Sequence, residues 1–422
     1  MIKLLSLFSG IGAFEAALRR GGYDFHVVNY CEIDPYAARA YSQIHGISED
    51  YNLHDVRQVN TLLMDNINLM TWGWPCQDIS VAGKQRGFKD NDGNLTRSGL
   101  FFQGLRILTE LQPEYAIAEN VKALTGKKFT AEFETVLTSL DKAGYNNYWK
   151  VLNAKDFGIP QNRERVFIVS IRKDIDTGAF TFPEKQPLTL RVKDLLEPVV
   201  DEKYYINNER AESLIRQILA KTDIGGGIAV VDSTINNPNV KGISNCITAR
   251  YDAGIQKQRS VGTAVIEPKI KRLGNLYDEN AGGARAGNTY DPDGLAPALQ
   301  TAQGGNRQPL IFTNEPVICR SQGRNPDNPS DRNAGIPLEQ RLEPNMDGCS
   351  NTLTTVQKDN YVLDLYRIRK LTPRECFRLM GFSDSDFDKI KGISNTQLYK
   401  MAGNSIVVDV LEAIFRNLFK KE

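Results

Sequence analysis

Residues 3–12 read Lys3-Leu4-Leu5-Ser6-Leu7-Phe8-Ser9-Gly10-Ile11-Gly12. A short apolar run, Lys3–Leu7, stops at a turn with two glycines, and an amphipathic stretch over Ile11–Arg20 takes over. A strand written as one apolar block, without alternation, is expected where both faces of a sheet are covered. The same order recurs downstream. Strands are predicted at Phe25–Tyr30, Ile67–Thr71, Tyr115–Glu119 and Val166–Ile171, and helices at Pro35–Ile44, Gly99–Leu111 and Ala131–Ala143. That alternation predicts a doubly wound α/β sheet. In such sheets ligands sit beyond the carboxyl ends of the strands, and there the unusual residues fall: Ser9-Gly10, Glu32, Pro75-Cys76 and Glu119-Asn120.

The chain has 422 residues, beyond the size one core usually serves, so two domains are expected. From about residue 187 helical periodicity fades, glycines crowd into 225–330, and Asn, Thr and Pro become frequent, as in short strands and long loops. After about 366 the α/β pattern returns. Thr372-Pro373-Arg374-Glu375 is a capping-box helix start, and Val407–Leu418 is a further amphipathic helix. The reading is therefore a catalytic domain over 1–186, a smaller loop- and strand-rich insertion over 187–365, and a segment 366–422 that returns to the first domain. Within the insertion, Asn245-Cys246-Ile247-Thr248-Ala249, Pro297-Ala298-Leu299-Gln300-Thr301-Ala302 and Asn351-Thr352-Leu353-Thr354-Thr355 form a loose repeat, a pattern that chance in a Thr-rich region also produces.

Composition excludes several classes. Hydrophobic residues make up 41% and charged residues 24%, ordinary for a globular protein, and no apolar stretch is long enough to span a bilayer. The N-terminus runs straight into a patterned strand instead of a signal peptide, so a cytoplasmic location, bacterial or in a phage-infected host cell, is expected. Six cysteines without a CxxC pair and three histidines offer no metal-ligand spacing, and no metal is expected. A formal charge of +1 does not advertise a polyanion partner, so any nucleic-acid surface must be local.

The glycine turn Phe8–Gly12 lets a ligand approach backbone at a helix N-terminus, but it lacks the third glycine of GxGxxG. Glu32 ends the second strand, where an acid can accept both ribose hydroxyls, and Asp55 is positioned for an adenine amino group. A lone cysteine is by default core filler. Cys76, however, follows a strand, and Glu119 and the pair Arg163 and Arg165 lie at neighbouring strand ends, with the arginines one strand period apart. Arginines and helix N-termini nearby would lower a thiol toward thiolate. Thiolate, acid and guanidinium are what nucleophilic addition to a pyrimidine ring requires: an attacking sulfur, a proton for the ring nitrogen, and a donor for the carbonyl oxygen.

Taken in order, Phe8-Ser9-Gly10-Ile11-Gly12, Glu32, Asp55, Pro75-Cys76-Gln77, Glu119-Asn120-Val121, Gln161-x-Arg163-x-Arg165, Arg374-Glu375-Cys376 and Gly403-Asn404-Ser405 resemble the ordered motifs of the bacterial and phage DNA (cytosine-5) methyltransferases. The resemblance covers about 1–172 and 366–422. It implies a Rossmann-like methyltransferase domain with the middle region as target-recognition domain, double-stranded DNA as substrate and S-adenosylmethionine as methyl donor. By the same resemblance Cys76 attacks cytosine C6, Glu119 assists at N3, and Arg163 and Arg165 support the pyrimidine. Phe8, Gly10, Gly12, Glu32, Ile33, Asp55, Pro75, Leu100, Asn404 and Ile406 match cofactor-contacting positions. Ser80, Ala82, Lys84, Gln85 and Arg86 belong to a basic, glycine-flanked loop expected to close over DNA once the base has been flipped out. Arg307, in Gly304-Gly305-Asn306-Arg307, and Thr352 are expected DNA contacts of the middle region. Trp74 stands where the family usually has phenylalanine, and Ile33 where tryptophan is frequent. A monomer is the family expectation, with a cognate endonuclease not physically required.

Three other readings fit parts of the chain. An RNA methyltransferase would use the same pocket, although the long middle domain favours duplex DNA. A non-catalytic DNA-binding regulator does not need Cys76, Glu119 and Arg163 together. A nicotinamide oxidoreductase explains the glycine turn and Glu32 but leaves Pro75-Cys76-Gln77 and Gly403-Asn404-Ser405 unused.

Overall fold

The computed structural model describes residues 1–76, 78–79, 86–88, 90, 92–206, 228–232, 239–244, 246, 263–268, 289–290, 310–311, 318–324, 339–345, 361–362 and 366–419. By contact the chain forms two units. One comprises Met1–Tyr204, Val230–Ala264 and Lys370–Glu422; the other comprises Tyr205–Ala229 and Val265–Arg369.

The first unit is built on a six-stranded sheet of β1 (Ile2–Leu7), β2 (Phe25–Cys31), β3 (Leu69–Trp72), β4 (Tyr115–Val121), β5 (Tyr145–Asn153) and β6 (Glu164–Arg172), in the order β2-β1-β3-β4-β6-β5. β1, β2, β3 and β4 run parallel. Every residue of β3 and the last four of β1 are buried, the two-sided covering that their unbroken apolar sequence predicts. Four helices belong to this layer pattern: α1 (Ala13–Arg20), α2 (Pro35–His45), α3 (Phe101–Leu111) and α4 (Thr130–Lys142). α2 starts where Asp34 accepts hydrogen bonds from the backbone of Tyr36 and Ala37 with Pro35 at the first position, and it stops at Gly46 in the left-handed region.

Two features depart from a simple parallel reading. β6 runs antiparallel to β4, and β5, absent from the expected elements, pairs antiparallel with β6 as an edge strand. The sequence of β5, Tyr-Asn-Asn-Tyr-Trp-Lys-Val-Leu-Asn, is mostly half-buried or exposed, so it lacks the apolar block that marks the inner strands. The reversal of β6 matters for chemistry. Its N-terminus lies at the edge where the parallel strands end, with Arg165 directly opposite Val121 of β4.

The C-terminal segment packs into the same unit as α5 (Pro373–Arg378), α6 (Asp384–Ile390), α7 (Asn395–Asn404) and α8 (Val408–Leu418). The Thr372–Glu375 capping box forms in both directions. α8 lies along α1: the Phe14 and Phe415 rings are 6.4 Å apart, Tyr23 meets Phe419 at 5.7 Å, and Arg20 pairs with Asp409 and Glu412. A large aromatic group fills the space behind the strand ends. Trp72 stacks on Phe101 at 5.4 Å, Trp74 packs on both, and Gly104 of α3 leaves the space that the Trp72 ring occupies.

In the second unit, Ile318–Arg324 pairs antiparallel with Glu339–Asn345 on one side and with Tyr361–Val362 on the other, and Thr289–Tyr290 pairs with Leu310–Ile311. The strand-rich character expected of the middle region is present there. Of the repeat, only Cys246 falls within the described residues.

Candidate active site

Cys76 sits half-buried four residues beyond the end of β3. The loop that carries it is held from β4: the Asn120 amide donates to the Trp74 carbonyl at 3.1 Å, while its own carbonyl accepts from the backbone N–H of Val121. Glu119, the residue before, points its carboxylate into the same space. Its Oε1 pairs with Arg165 Nε at 3.0 Å, and its Oε2 lies beside Gly73, where Ile406 Cδ1 also approaches. A side chain at Gly73 would sit between the acid and Ile406.

Arg163 precedes β6 and is almost fully buried. Its Nη2 donates to the carbonyls of Gly403 and Ser405, at 3.0 and 2.5 Å, so it anchors the turn that holds Asn404 and leads to Ile406. Its Nη1 lies 3.1 Å from Cys246 Sγ, and Arg165 Nη2 lies 4.0 Å from the same sulfur. Cys246 is brought there by Ser244, which pairs with Gln161 through a short parallel bridge: Asn162 N donates to Ser244 O and Ser244 N to Pro160 O. The Gln161 amide reaches the Leu379 carbonyl at 2.7 Å, tying the C-terminal segment to the same turn. Sequence reasoning assigned Cys246 only to the repeat. Nothing in its local pattern distinguishes it, because its role arises from a contact across more than eighty residues.

The electrostatics correct one expectation. Burial pushes the Cys76 thiol up, Glu119 adds to the rise, and the pull of Arg165 and Arg163 only partly offsets it. Burial likewise raises the Glu119 carboxyl against the pull of the two arginines. Cys76 is thus not a standing thiolate as the strand-end position suggested. The thiol held below its ordinary range is Cys246, where Arg163 and Arg165 outweigh the effect of burial.

The glycine turn follows β1, the neighbour of the strand β3 that leads to Cys76. Phe8, Gly10 and Gly12 all have positive φ, at 52°, 56° and 78°. They differ in what requires them. A Cβ at Gly10 would meet nothing within 4 Å, so the backbone there faces open space, whereas at Gly12 it would collide with the His45 ring. His45 in turn bonds the Ile11 carbonyl at 3.0 Å and supports the turn from α2. Glu32 accepts from Gly10 N–H through Oε2 and from Asp34 N–H through Oε1, which leaves a further lone pair on each oxygen. Ile33 beside it is 67% exposed, and Ser9 Oγ is buried without a hydrogen-bond partner. Asp55 is gripped by Arg57, whose side chain is mostly exposed. Leu100 packs against the core at the start of α3, Pro75 is half-buried next to Cys76, and Asn404 is exposed.

The model of the C-5 cytosine-specific DNA methylases matches residues 2–420. The chain belongs to that family. It is 34% identical to the orphan methyltransferase M.SPRI of Bacillus phage SPR and 32% identical to the orphan methyltransferase M.Rho11sI of Bacillus phage rho11s, each alignment covering 99% of this chain and 97% of the relative. It is also 32% identical to the type II methyltransferase M2.ScrFI of Lactococcus lactis subsp. cremoris, over 88% of this chain and 72% of that one. Among solved structures, the Entamoeba histolytica methyltransferase EhMeth superposes with a TM-score of 0.59 at 18% identity, covering 100% of this chain and 99% of that one, a likeness of fold. The protein is therefore a DNA (cytosine-5) methyltransferase of a kind found in phages and in type II modification.

In this methylase the structure brings together Cys76, Glu119, Arg163 and Arg165, and separately Gly10, Glu32 and Ile33. Of the expected DNA-contact residues, Arg86 is described; its guanidinium pairs with the buried Asp78 at 3.1 Å. Ser80, Ala82, Lys84, Gln85, Arg307 and Thr352 lie outside the described residues. Among the described residues no helix is long and apolar enough to cross a membrane.

Proposed function

We propose that this methylase acts on cytosine in double-stranded DNA, with Cys76 adding covalently to the base and Glu119 managing the proton at ring nitrogen N3. The observation that carries the reading is the shared pocket. Burial raises the Glu119 carboxyl against the pull of the two arginines, and its contact with Arg165 at 3.0 Å fixes the direction in which it points. The Cys76 sulfur forms a bond to C6 as N3 accepts the proton from Glu119, which places electron density on C5 without leaving an anion on the ring. Arg165 is oriented for the pyrimidine carbonyl by Glu119, and Arg163 sets the turn 403–405 against the pocket. Once C5 carries the methyl group, water takes its proton, the C6–S bond breaks with its electron pair leaving on sulfur, N3 returns its proton to Glu119, and the released thiolate is reprotonated from solvent.

The glycine turn fits S-adenosylmethionine, which supplies the methyl group when bound. Gly10 offers open backbone, the free lone pairs of Glu32 match two ribose hydroxyls, and the exposed face of Ile33 suits a flat purine. Asp55 can take the adenine amino group once the exposed Arg57 swings aside, and Phe8, Gly12, Pro75, Leu100, Asn404 and Ile406 complete the surround. We assign duplex recognition to the strand-rich unit with Arg307 and Thr352, and closure over the flipped base to Ser80, Ala82, Lys84, Gln85 and Arg86.

Duplex DNA carrying 5-fluorocytosine at the methylated position tests the mechanism, since fluorine at C5 blocks the final elimination. With S-adenosylmethionine the protein should form a denaturant-resistant complex, and peptide mapping should place the DNA on Cys76. A complex mapped to Cys246, or turnover by the Cys76→Ser protein, would refute the assignment.

A further inference from the structure

A chain of polar contacts runs from the C-terminal segment to the back of the glycine turn. In α6 the buried Asp386 accepts from the Ser383 hydroxyl through Oδ2 at 2.8 Å and from Arg19 Nη2 through Oδ1 at 2.8 Å. Arg19, on α1, turns Nη1 toward His45 Nδ1 at 3.1 Å, and His45, near the end of α2, reaches the Ile11 carbonyl with Nε2 at 3.0 Å. These partners fix where the imidazole keeps its hydrogen. A guanidinium only donates, so Nδ1 offers it a bare lone pair; a carbonyl only accepts, so Nε2 carries the hydrogen. The ring is therefore neutral. Burial, Arg19 and Lys389 lower it, the Ile11 carbonyl and Asp386 oppose them, and the Tyr41 ring packs against it at 4.9 Å. The Ile11–Gly12 peptide is then held at both ends, its C=O by His45 and its N–H by the Ser9 carbonyl at 2.9 Å. On its other side Gly10 N–H donates to Glu32 at 2.9 Å. Gly10 and Gly12 both lie in the left-handed region, where glycine rotates at little cost, so the peptide between them needs such a tie to keep one orientation.

We propose that His45 is a positioning residue for the methyl donor: held from behind by Arg19 and Asp386 as the neutral ring with its hydrogen on Nε2, it locks the Ile11–Gly12 peptide and so gives the turn the shape that S-adenosylmethionine meets. This inference rests on the assignment of the glycine turn to that cofactor given above. A turn already locked loses no further freedom when its ligand arrives, whereas a loose one must be ordered by the ligand and binds it more weakly. His45 acts through the Ile11 carbonyl and has no part in methyl transfer itself, so its loss should show in the affinity for the donor and not in the chemical step.

The test is calorimetric titration of S-adenosylhomocysteine into the full-length protein and into His45→Leu and His45→Gln. Leucine keeps an apolar body and cannot donate, so the dissociation constant should rise about tenfold, the net worth of one hydrogen bond whose acceptor is left behind. Glutamine carries an amide N–H for the Ile11 carbonyl and an oxygen for Arg19, and should bind within about threefold of wild type. A Leu variant that binds as tightly as wild type, or a folded Gln variant as weak as Leu, overturns the proposal. Methylation assays give the matching split: in the Leu variant KM for S-adenosylmethionine rises while kcat at saturating donor stays within about twofold, and a fall in kcat with KM unchanged overturns the positioning role. Should the variants not fold, nitrogen NMR of the wild-type chain with labelled histidine answers the question, because the protein has only three histidines and His26→Gln and His54→Gln assign His45 by elimination. A bare Nδ1 and a protonated Nε2 at neutral pH support the lock; a hydrogen on Nδ1 overturns it. The two levels of inference separate in the titration itself. If the wild-type protein takes up no S-adenosylhomocysteine, the cofactor assignment fails; if it does and the Leu variant matches it, only the role of His45 fails.

Discussion

Arg163→Lys keeps the charge and changes the geometry, which makes it the sharpest probe of how the pocket is assembled. The guanidinium serves two directions at once. Nη2 donates to the Gly403 and Ser405 carbonyls, and Nη1 faces the Cys246 sulfur. A lysine ammonium is a single point, so a position that satisfies the two carbonyls abandons Cys246, and the reverse. Hydrogen bonds to charged groups contribute about 1.5 to 3 kcal/mol each, and one or two are lost, so a cost of about 3 kcal/mol is expected. That corresponds to roughly a hundredfold in kcat/KM if the turn 403–405 must be in place in the transition state. The assay is transfer of tritium from labelled S-adenosylmethionine to duplex DNA, with the KM for the methyl donor and the melting temperature measured alongside. Because the displaced turn carries Asn404 and leads to Ile406, the donor KM should rise as kcat falls. A lysine variant within about threefold of wild type in both parameters would show that charge alone suffices and would refute the geometric argument.

Two further outcomes test the scaffold. Gly104→Ala places a methyl carbon 2.2 Å from the Trp72 ring, so the stacked group of Trp72, Phe101 and Trp74 must shift; a loss of about 1 to 3 kcal/mol is expected in denaturant unfolding, and an unchanged midpoint would mean that α3 can move away freely. Burial lowers the His45 imidazole from 6.5 to about 4, so the unfolded chain binds a proton that the folded one refuses across that interval. The stability this represents, up to about 3 kcal/mol, is present above pH 6.5 and is lost as pH falls toward 4. Calorimetry of wild type and His45→Gln should show the wild type losing stability more steeply in that window, and parallel curves would count against the assignment.

The inner strands were legible because burial on both faces writes itself as uninterrupted apolar sequence, as in Leu69–Trp72. The starts of α2 and α5 were legible because Asp34-Pro35 and Thr372-Pro373-Arg374-Glu375 are local hydrogen-bond devices that need no tertiary context. The edge strand Tyr145–Asn153 was not, since only Tyr145 and Leu152 in it are buried and the rest are half-buried or exposed. Nor could apolar content reveal the direction of β6, because buried strands look alike whichever way they run. The site shows the same division. Cys76, Glu119, Arg163 and Arg165 were marked by their position at strand ends, whereas Cys246 enters from a distant segment through the Gln161–Ser244 bridge, and the arginines that lower its thiol are neighbours that local sequence does not name. The Gly12 assignment was complicated in another way: the clash of a Cβ with His45 gives packing its own claim on that glycine.

The pairing of α1 with α8 has a consequence for biosynthesis. Arg20 meets Glu412 392 positions later, so α1 is completed only when α8 has been made. Loop length itself adds little to the free energy of that closure, since the cost grows only with its logarithm. Time is another matter. At about 5 to 20 residues per second the ribosome needs roughly 20 to 80 s to deliver the partner, and until then Phe14 and its apolar neighbours lack the cover that Phe415 provides. Arg163 waits through the same interval for the carbonyls of Gly403 and Ser405. A nascent chain therefore carries Cys76 and Glu119 long before Arg163 has the carbonyls it anchors, and translation acts as a delay line between making the pocket's first residues and completing it.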